Sequence, residues 1–260
     1  MAAMVEGDPQ KVPYEPAERR FEISEDQFSR ERLEAVKAAY KELTAALPGV
    51  SVAFSLFGSL SKGKVLTEET KDKADVDLTA FIDEKELLAA HDELMKTNPE
   101  YAAFEREHPG DGGRLYAMSI LKRHVAPNTP EGDIDDPHVG YINYEGHHSI
   151  MLLVGAYADR LAIGMRGAGG GAALESYAVR IARYFHLDVG GGMRKYREAF
   201  IQQLLTMEPG EGERYWSIVN RCARYIERGG KISEVAERQF PKTLAEAEEY
   251  YLHPHKETAG

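Results

Sequence analysis

The chain has one cysteine, Cys222, and one tryptophan, Trp216, among 260 residues. A single thiol excludes an intramolecular disulfide framework and a cysteine-based zinc site. Long apolar runs are missing as well. The longest, Ile150 to Ala158, is about half of what a membrane-spanning helix needs, so no membrane association is expected. The opening segment MAAMVEGDPQ has neither the basic start nor the apolar centre of a secretory leader, which makes a reducing cytoplasm the expected location. Excess positive charge is absent too. The formal net charge of -11 speaks against indiscriminate nucleic-acid binding and leaves room only for a local basic groove. What remains is an ordinary globular composition, 43% hydrophobic and 29% charged, in a chain long enough to bury its own core.

The patterning divides the chain. Residues 1–22, with Pro9, Pro13 and Pro16, show no periodicity and read as a flexible arm. Ser24 and Gln27 have capping-box spacing, with Ile23 and Phe28 placed as a hydrophobic staple. Leu33, Val36, Tyr40, Leu43 and Leu47 then recur at helical spacing up to Pro48-Gly49. VSVAFSLF (50–57) and DVDLTAFID (75–83) alternate as strands, and residues 84–98 read as a helix. From 114 to 165 the candidate strands are RLYAMSILKRHV, HVGYINYEG, HSIMLLVGAY and RLAIGM. After the glycines near 164–171 the apolar spacing is helical to the end. The expectation is an α+β core over 23–165 followed by an all-helical C-terminal lobe over 172–260.

The chemistry-bearing signal is a pair of acids. On a strand, Asp75 and Asp77 point to one face, about 6.5 Å apart along the chain. Two carboxylates so placed repel unless a cation lies between them. Two readings compete: solvated acids at a strand end, or oxygen ligands of a divalent metal such as Mg²⁺, which shares its remaining positions with substrate phosphates. The apolar face of the same strand marks it as a core strand and favours the second. Upstream, the first strand runs into Gly58-Ser59, where backbone N–H groups and a hydroxyl can hold phosphate oxygens. Lys62 and Lys64 follow and can neutralise a triphosphate. The competing reading there is an ordinary tight turn with solvated lysines.

The run FGSLSKGK…ADVDLTAFID resembles the signature of the polymerase β-like nucleotidyltransferases, in the branch containing CCA-adding enzymes, oligoadenylate synthetases and cGAS-like enzymes. The resemblance is specific over residues 54–83 and looser over the helices after 172. It implies a small mixed sheet flanked by helices, followed by the all-helical lobe. It also implies Gly58 and Ser59 on the triphosphate, with Lys62 and Lys64 beside them, and Mg²⁺ (or Mn²⁺) on Asp75 and Asp77. The activity implied is transfer of a nucleoside monophosphate from an NTP such as ATP to an acceptor hydroxyl, with release of pyrophosphate. The acceptor is left open between RNA, a nucleotide, a small molecule and a protein. The spacer from Ser59 to Asp75 is longer than the family pattern. The family's third carboxylate belongs on a later strand, where HSIMLLVGAY offers His148 or Ser149. Glu145 is the first candidate for it and Asp135 the second. A chain without that acid would be a nucleotide-binding protein of the same fold that has lost transfer.

Weaker signals point elsewhere. Gly167, Gly169 and Ala172 have a GxGxxA spacing with Asp188 about twenty residues on, as in a dinucleotide site. No βα repeats follow, so an interlobe connector is the better reading. His147, His148, His253 and His255 read as surface histidines. Arg194, Lys195, Arg197, Arg221 and Arg224 either form solvated helix faces or turn toward a triphosphate or acceptor RNA. Trp216 reads as core.

Overall fold

The computed structural model describes residues 23–71, 76–125, 139–143, 148–154, 164–167, 171–224 and 240–253. Helix α1 (Gln27–Ala46) leads into strand β1 (Val52–Phe57), a short 3-10 turn (Leu60–Lys62) and strand β2 (Val76–Ile82). Three helices follow, α2 (Glu84–Thr97), α3 (Pro99–Glu107) and α4 (Gly112–Val125), then strands β3 (Val139–Asn143) and β4 (His148–Val154). The remainder is α5 (Ala172–Ala182), a 3-10 turn (Arg183–Phe185), β5 (Leu187–Val189), α6 (Arg194–Leu205), α7 (Glu211–Arg224) and α8 (Leu244–Leu252). The class is α+β. Among the described residues, no helix is long and apolar enough to cross a membrane.

The five strands form one mixed sheet in the order β3-β4-β2-β1-β5. β1 is antiparallel to both β2 and β5, β2 is parallel to β4, and β3 is antiparallel to β4. Every residue of β1 and β2 is buried, because helices cover both faces of the sheet. On one face, Val52, Phe54 and Leu56 of β1 and Val76, Leu78, Ala80 and Ile82 of β2 pack against Val36, Ala39 and Leu43 of α1 and Ala117, Ile120 and Leu121 of α4. On the other, Ala53 and Phe81 join a second core with Ile181, Phe185, Phe200 and Trp216 from the C-terminal half. The Phe81 ring lies 4.7 Å from both the Tyr184 and Tyr196 rings, edge-on to the first and stacked on the second. The Ser55 hydroxyl donates to the Arg183 carbonyl at 2.6 Å.

Four features depart from the expectations. RLYAMSILKRHV is helix α4, not a strand. Its buried Ala117, Ile120, Leu121 and Val125 follow the helical period, and Asp111 holds the Arg114 guanidinium through two bonds of 2.6 and 2.7 Å at the helix start. The residue before α1 that caps it is Asp26, not Ser24. Its carboxylate accepts from Ser29 N–H and hydroxyl and from Leu66 N–H, tying the loop after the 3-10 turn to the start of α1. The C-terminal half is not all-helical, because Leu187–Val189 adds β5 beside β1. Three residues are too few to show alternation against helical neighbours. Finally, α3 is an additional helix, capped by the Asn98 side chain on Tyr101 N–H with Pro99 in its first turn.

Candidate functional site

Strand β1 stops because Gly58 takes a left-handed φ of 73°, which a residue with a Cβ adopts only with strain. The chain then folds into a compact turn. Lys62 N–H and Lys64 N–H both return to the Ser59 carbonyl at 3.2 Å, and the Ser61 hydroxyl donates to the Gly58 carbonyl at 3.1 Å. Leu60 and Leu66 anchor the turn in the first core. The start of the turn, Gly58 to Ser61, is therefore fixed on one side by apolar burial and on the other by its own backbone.

Across the ladder from Phe57 stands Asp77. Its alternation places it on the face shared with the C-terminal half, and it is 6% exposed. A Cβ built on Gly58 would lie 1.9 Å from Asp77 Oδ2 and 2.7 Å from its Cγ. The carboxylate therefore occupies the space that any other residue at 58 would fill. Glycine is required here twice, for its dihedral and for this close approach.

The structure thus brings Gly58, Ser59 and Asp77 together, with Ser59 and Lys62 half-buried beside them. Lys64 is exposed, and its carbonyl turns to α1, where the Ser29 hydroxyl reaches it at 3.4 Å. Asp75, Glu145, Asp133 and Asp135 lie outside the described residues, as do His147 and His255. On β4, the register sets Ser149 level with Asp77 and His148 level with Val76. Among the described residues, no group of three or more His, Cys, Asp or Glu side chains stands close enough to hold a metal ion. Asp77 alone offers a buried carboxylate at the corner. That oxygen donor suits a hard divalent cation as one ligand.

Most other charged groups singled out from the sequence are engaged in holding the fold. Arg197 donates to the carbonyls of Tyr184 and His186, each at 2.6 Å. Arg194 pairs with Glu198, and Lys195 reaches Asp83 at 3.3 Å. Arg224 lies 3.5 Å from Asn220, and Arg221 is exposed. Asp188 accepts from Gly191 and Met193 N–H, so it is spent on its own loop. Burial nevertheless pushes its carboxyl up, against the pull of Arg197 and those N–H groups. His253 is exposed, 3.8 Å from Glu248. Trp216 is core, edge-on to Phe185.

Two residues at the corner carry no signal in the sequence. His186 is buried with its ring 6.1 Å from Phe57 and 5.2 Å from Phe240. Burial, with Lys62, Arg197 and Arg183 nearby, holds its pKa well below the ordinary histidine value, so it is neutral. Arg183 lies with its guanidinium carbon 4.9 Å from the centre of the Phe57 ring. Neither belongs to a motif, because both arrive from the C-terminal half by tertiary packing. No family model, curated protein or solved structure matches this chain.

Proposed function

We propose that the protein is a metal-dependent nucleotidyltransferase. The observation that carries this reading is the contact between the Asp77 carboxylate and the Cα of Gly58, which joins the Gly-Ser turn to the Asp-x-Asp strand in one corner. In the reading, Ser59 and the turn backbone orient the phosphate chain of an NTP, and Lys62 lowers its charge. Lys64, exposed at the rim, adds to the local positive field. Mg²⁺, or Mn²⁺ in its place, would be held by Asp77 and Asp75, and when bound would supply charge neutralisation at the reacting phosphate. An acceptor hydroxyl oxygen forms the new bond to the α-phosphorus as the bond to the bridging oxygen breaks. Pyrophosphate leaves with the electron pair, and the hydroxyl proton passes to a carboxylate base, with Glu145 the first candidate and Asp135 the second. Catalysis of this kind rests on positioning and electrostatics.

A second reading is favoured by one specific observation. The strand beside Asp77 carries Ser149 at the same level, where the resembling family places its third acid. Without a carboxylate from another segment, the chain is a nucleotide-binding protein of this architecture that does not transfer. Incubation of the full chain with each labelled NTP and Mg²⁺ separates the two. Transfer gives pyrophosphate and a labelled product, whereas the second reading gives a Mg²⁺-dependent rise in melting temperature and no pyrophosphate. Asp77→Asn should abolish both signals while the unliganded protein stays folded. A wild type that neither melts higher with any NTP and Mg²⁺ nor releases pyrophosphate refutes both readings.

A further inference from the structure

Arg183 is held in place by neighbours that, among the described residues, accept no hydrogen bond from its side chain. Its carbonyl is fixed by the Ser55 hydroxyl, and its guanidinium lies over Phe57, the residue directly before Gly58 and directly opposite Asp77. A cation over a ring is held by the ring face, and that contact consumes none of the guanidinium N–H groups. Among the described residues, the buried Nε–H has no hydrogen-bond partner and no carboxylate pairs with the group. Leaving such a donor unpaired costs stability, and an anion at the guanidinium would offset that cost. Lys62, Arg197 and Arg183 all lie near His186, so positive charge gathers around a ring 6.1 Å from Phe57 in a chain whose net charge is -11. Phe57 and Asp77, as a directly opposed pair, have Cβ atoms about 5 Å apart. The guanidinium is thus one ring away from the carboxylate.

We propose that Arg183 is the residue that positions the distal, non-transferred phosphates of a nucleoside triphosphate beside the Asp77 corner, so that the site selects triphosphates over monophosphates. The proposal rests on the nucleotidyltransferase reading for the identity of the substrate. The preference for an anion follows from the unpaired Nε–H and does not depend on that reading. A planar fork that donates two parallel N–H groups suits phosphate oxygens, and its place beyond Asp77 suits the leaving pyrophosphate.

The test uses the full chain in EDTA, titrated with pyrophosphate and separately with AMP while melting is followed. Pyrophosphate should raise the wild-type melting temperature and AMP should not. Arg183→Gln should lose the pyrophosphate shift, Arg183→Lys should keep part of it, and both should melt within a few degrees of wild type when unliganded. If Arg183→Gln does not fold, the wild type still decides. Phenylglyoxal modification of Arg183, read by peptide mass, should be slowed severalfold by pyrophosphate, while Arg194, paired with Glu198, should react at its unprotected rate. Absence of a wild-type shift, an undiminished shift in Arg183→Gln, or no protection of Arg183 overturns the proposal. In the transfer assay, Arg183→Gln should raise the triphosphate KM about tenfold or more, the effect of losing a charge-assisted bond, with a smaller change in kcat. An active Arg183→Gln with an unaltered KM sinks the role of Arg183 and leaves the transferase reading standing. Pyrophosphate protection without transfer for any NTP does the reverse.

Discussion

Gly58→Ala probes the corner most directly. Two costs are built into the structure. The φ of 73° is left-handed, which a Cβ penalises by about 1–2 kcal/mol. The new methyl would also sit 1.9 Å from Asp77 Oδ2, 2.7 Å from Cγ and 3.0 Å from Cβ. Because the contact reaches past the oxygen to Cγ, a small rotation of the carboxylate does not relieve it; the whole side chain must leave the corner. Forced repacking of this kind costs about 1–3 kcal/mol. The sum is about 3 kcal/mol, measured by urea denaturation at neutral pH. Asp77→Ala removes the two closest contacts and leaves only the Cβ at 3.0 Å. In that background Gly58→Ala should cost about 2 kcal/mol or less, the dihedral strain with a residual tight contact.

The coupling of about 1–2 kcal/mol is the decisive quantity, since distant independent sites add to within about 0.5 kcal/mol. Strict additivity of the two substitutions would refute the geometry, as would a single-variant cost below about 0.5 kcal/mol. The functional side runs in parallel. Gly58→Ala displaces the carboxylate, so the surviving folded fraction should lose Mg²⁺-dependent stabilisation by NTP as completely as Asp77→Asn does.

The remaining predictions concern the frame around the corner. Asp26→Ala should cost about 1 kcal/mol, the usual worth of an N-cap, and should loosen the 64–66 loop. Burial raises the Asp26 carboxyl, but the N–H groups of Leu66 and Ser29 and the hydroxyls of Ser29 and Ser24 outweigh it and hold the pKa far below the ordinary value. Its stabilisation is therefore complete above the unfolded pKa of about 3.9 and lost as pH falls below it, so the gap between wild type and Asp26→Ala in urea midpoints should close in acid. His186, whose pKa is lowered, should destabilise the fold as pH drops below about 6.5, by up to about 1.4 kcal/mol per unit; His186→Gln should flatten that slope between pH 6.5 and 5. Phe81→Ala should cost about 3–5 kcal/mol in the same denaturation assay, because its ring joins the sheet to Tyr184 and Tyr196.

What could be read from the sequence was whatever local periodicity encodes. α1, β1, β2 and α2 stand where alternation or helical spacing placed them, and the Gly58–Asp77 meeting follows from a strand that runs into Gly-Ser beside one that opens on Val76-Asp77. The misreadings share a physical cause. In α4 a dense apolar stretch buried on most sides hides its period, since Tyr116, Ala117, Met118, Ile120 and Leu121 are all covered, and such a run fits a strand as well as a helix. β5 owes its existence to the free edge of β1, which no local pattern announces. Arg183 reads as one more polar residue at the end of an amphipathic helix. Only the placement of its guanidinium over the ring of Phe57, a residue far away in the chain, distinguishes it from Arg194 or Arg221.

Strand β2 shows why the two halves must act together. Its even residues, Val76, Leu78, Ala80 and Ile82, go into the first core with α1 and α4. Its odd residues face the C-terminal half and change character along the strand. Phe81 is clamped between two tyrosine rings, Thr79 is buried with no partner for its hydroxyl among the described residues, and Asp77 lies buried against the Gly58 turn. The odd face thus runs from a dry aromatic anchor to a buried carboxylate beside the Gly58 turn within five residues. The position of the C-terminal half over Asp77 is set at the Phe81 end, by packing, and at the β5 edge, by the ladder to β1. Arg183 sits between these two constraints, at the residue where α5 gives way to the turn before β5. A substitution that loosens Phe81 should therefore weaken pyrophosphate protection of Arg183 without touching either Arg183 or Asp77. Phe81→Leu, which keeps the volume closer to native than alanine does, is the variant to use. Full protection of Arg183 in folded Phe81→Leu would mean that the β5 ladder alone sets the position of the guanidinium.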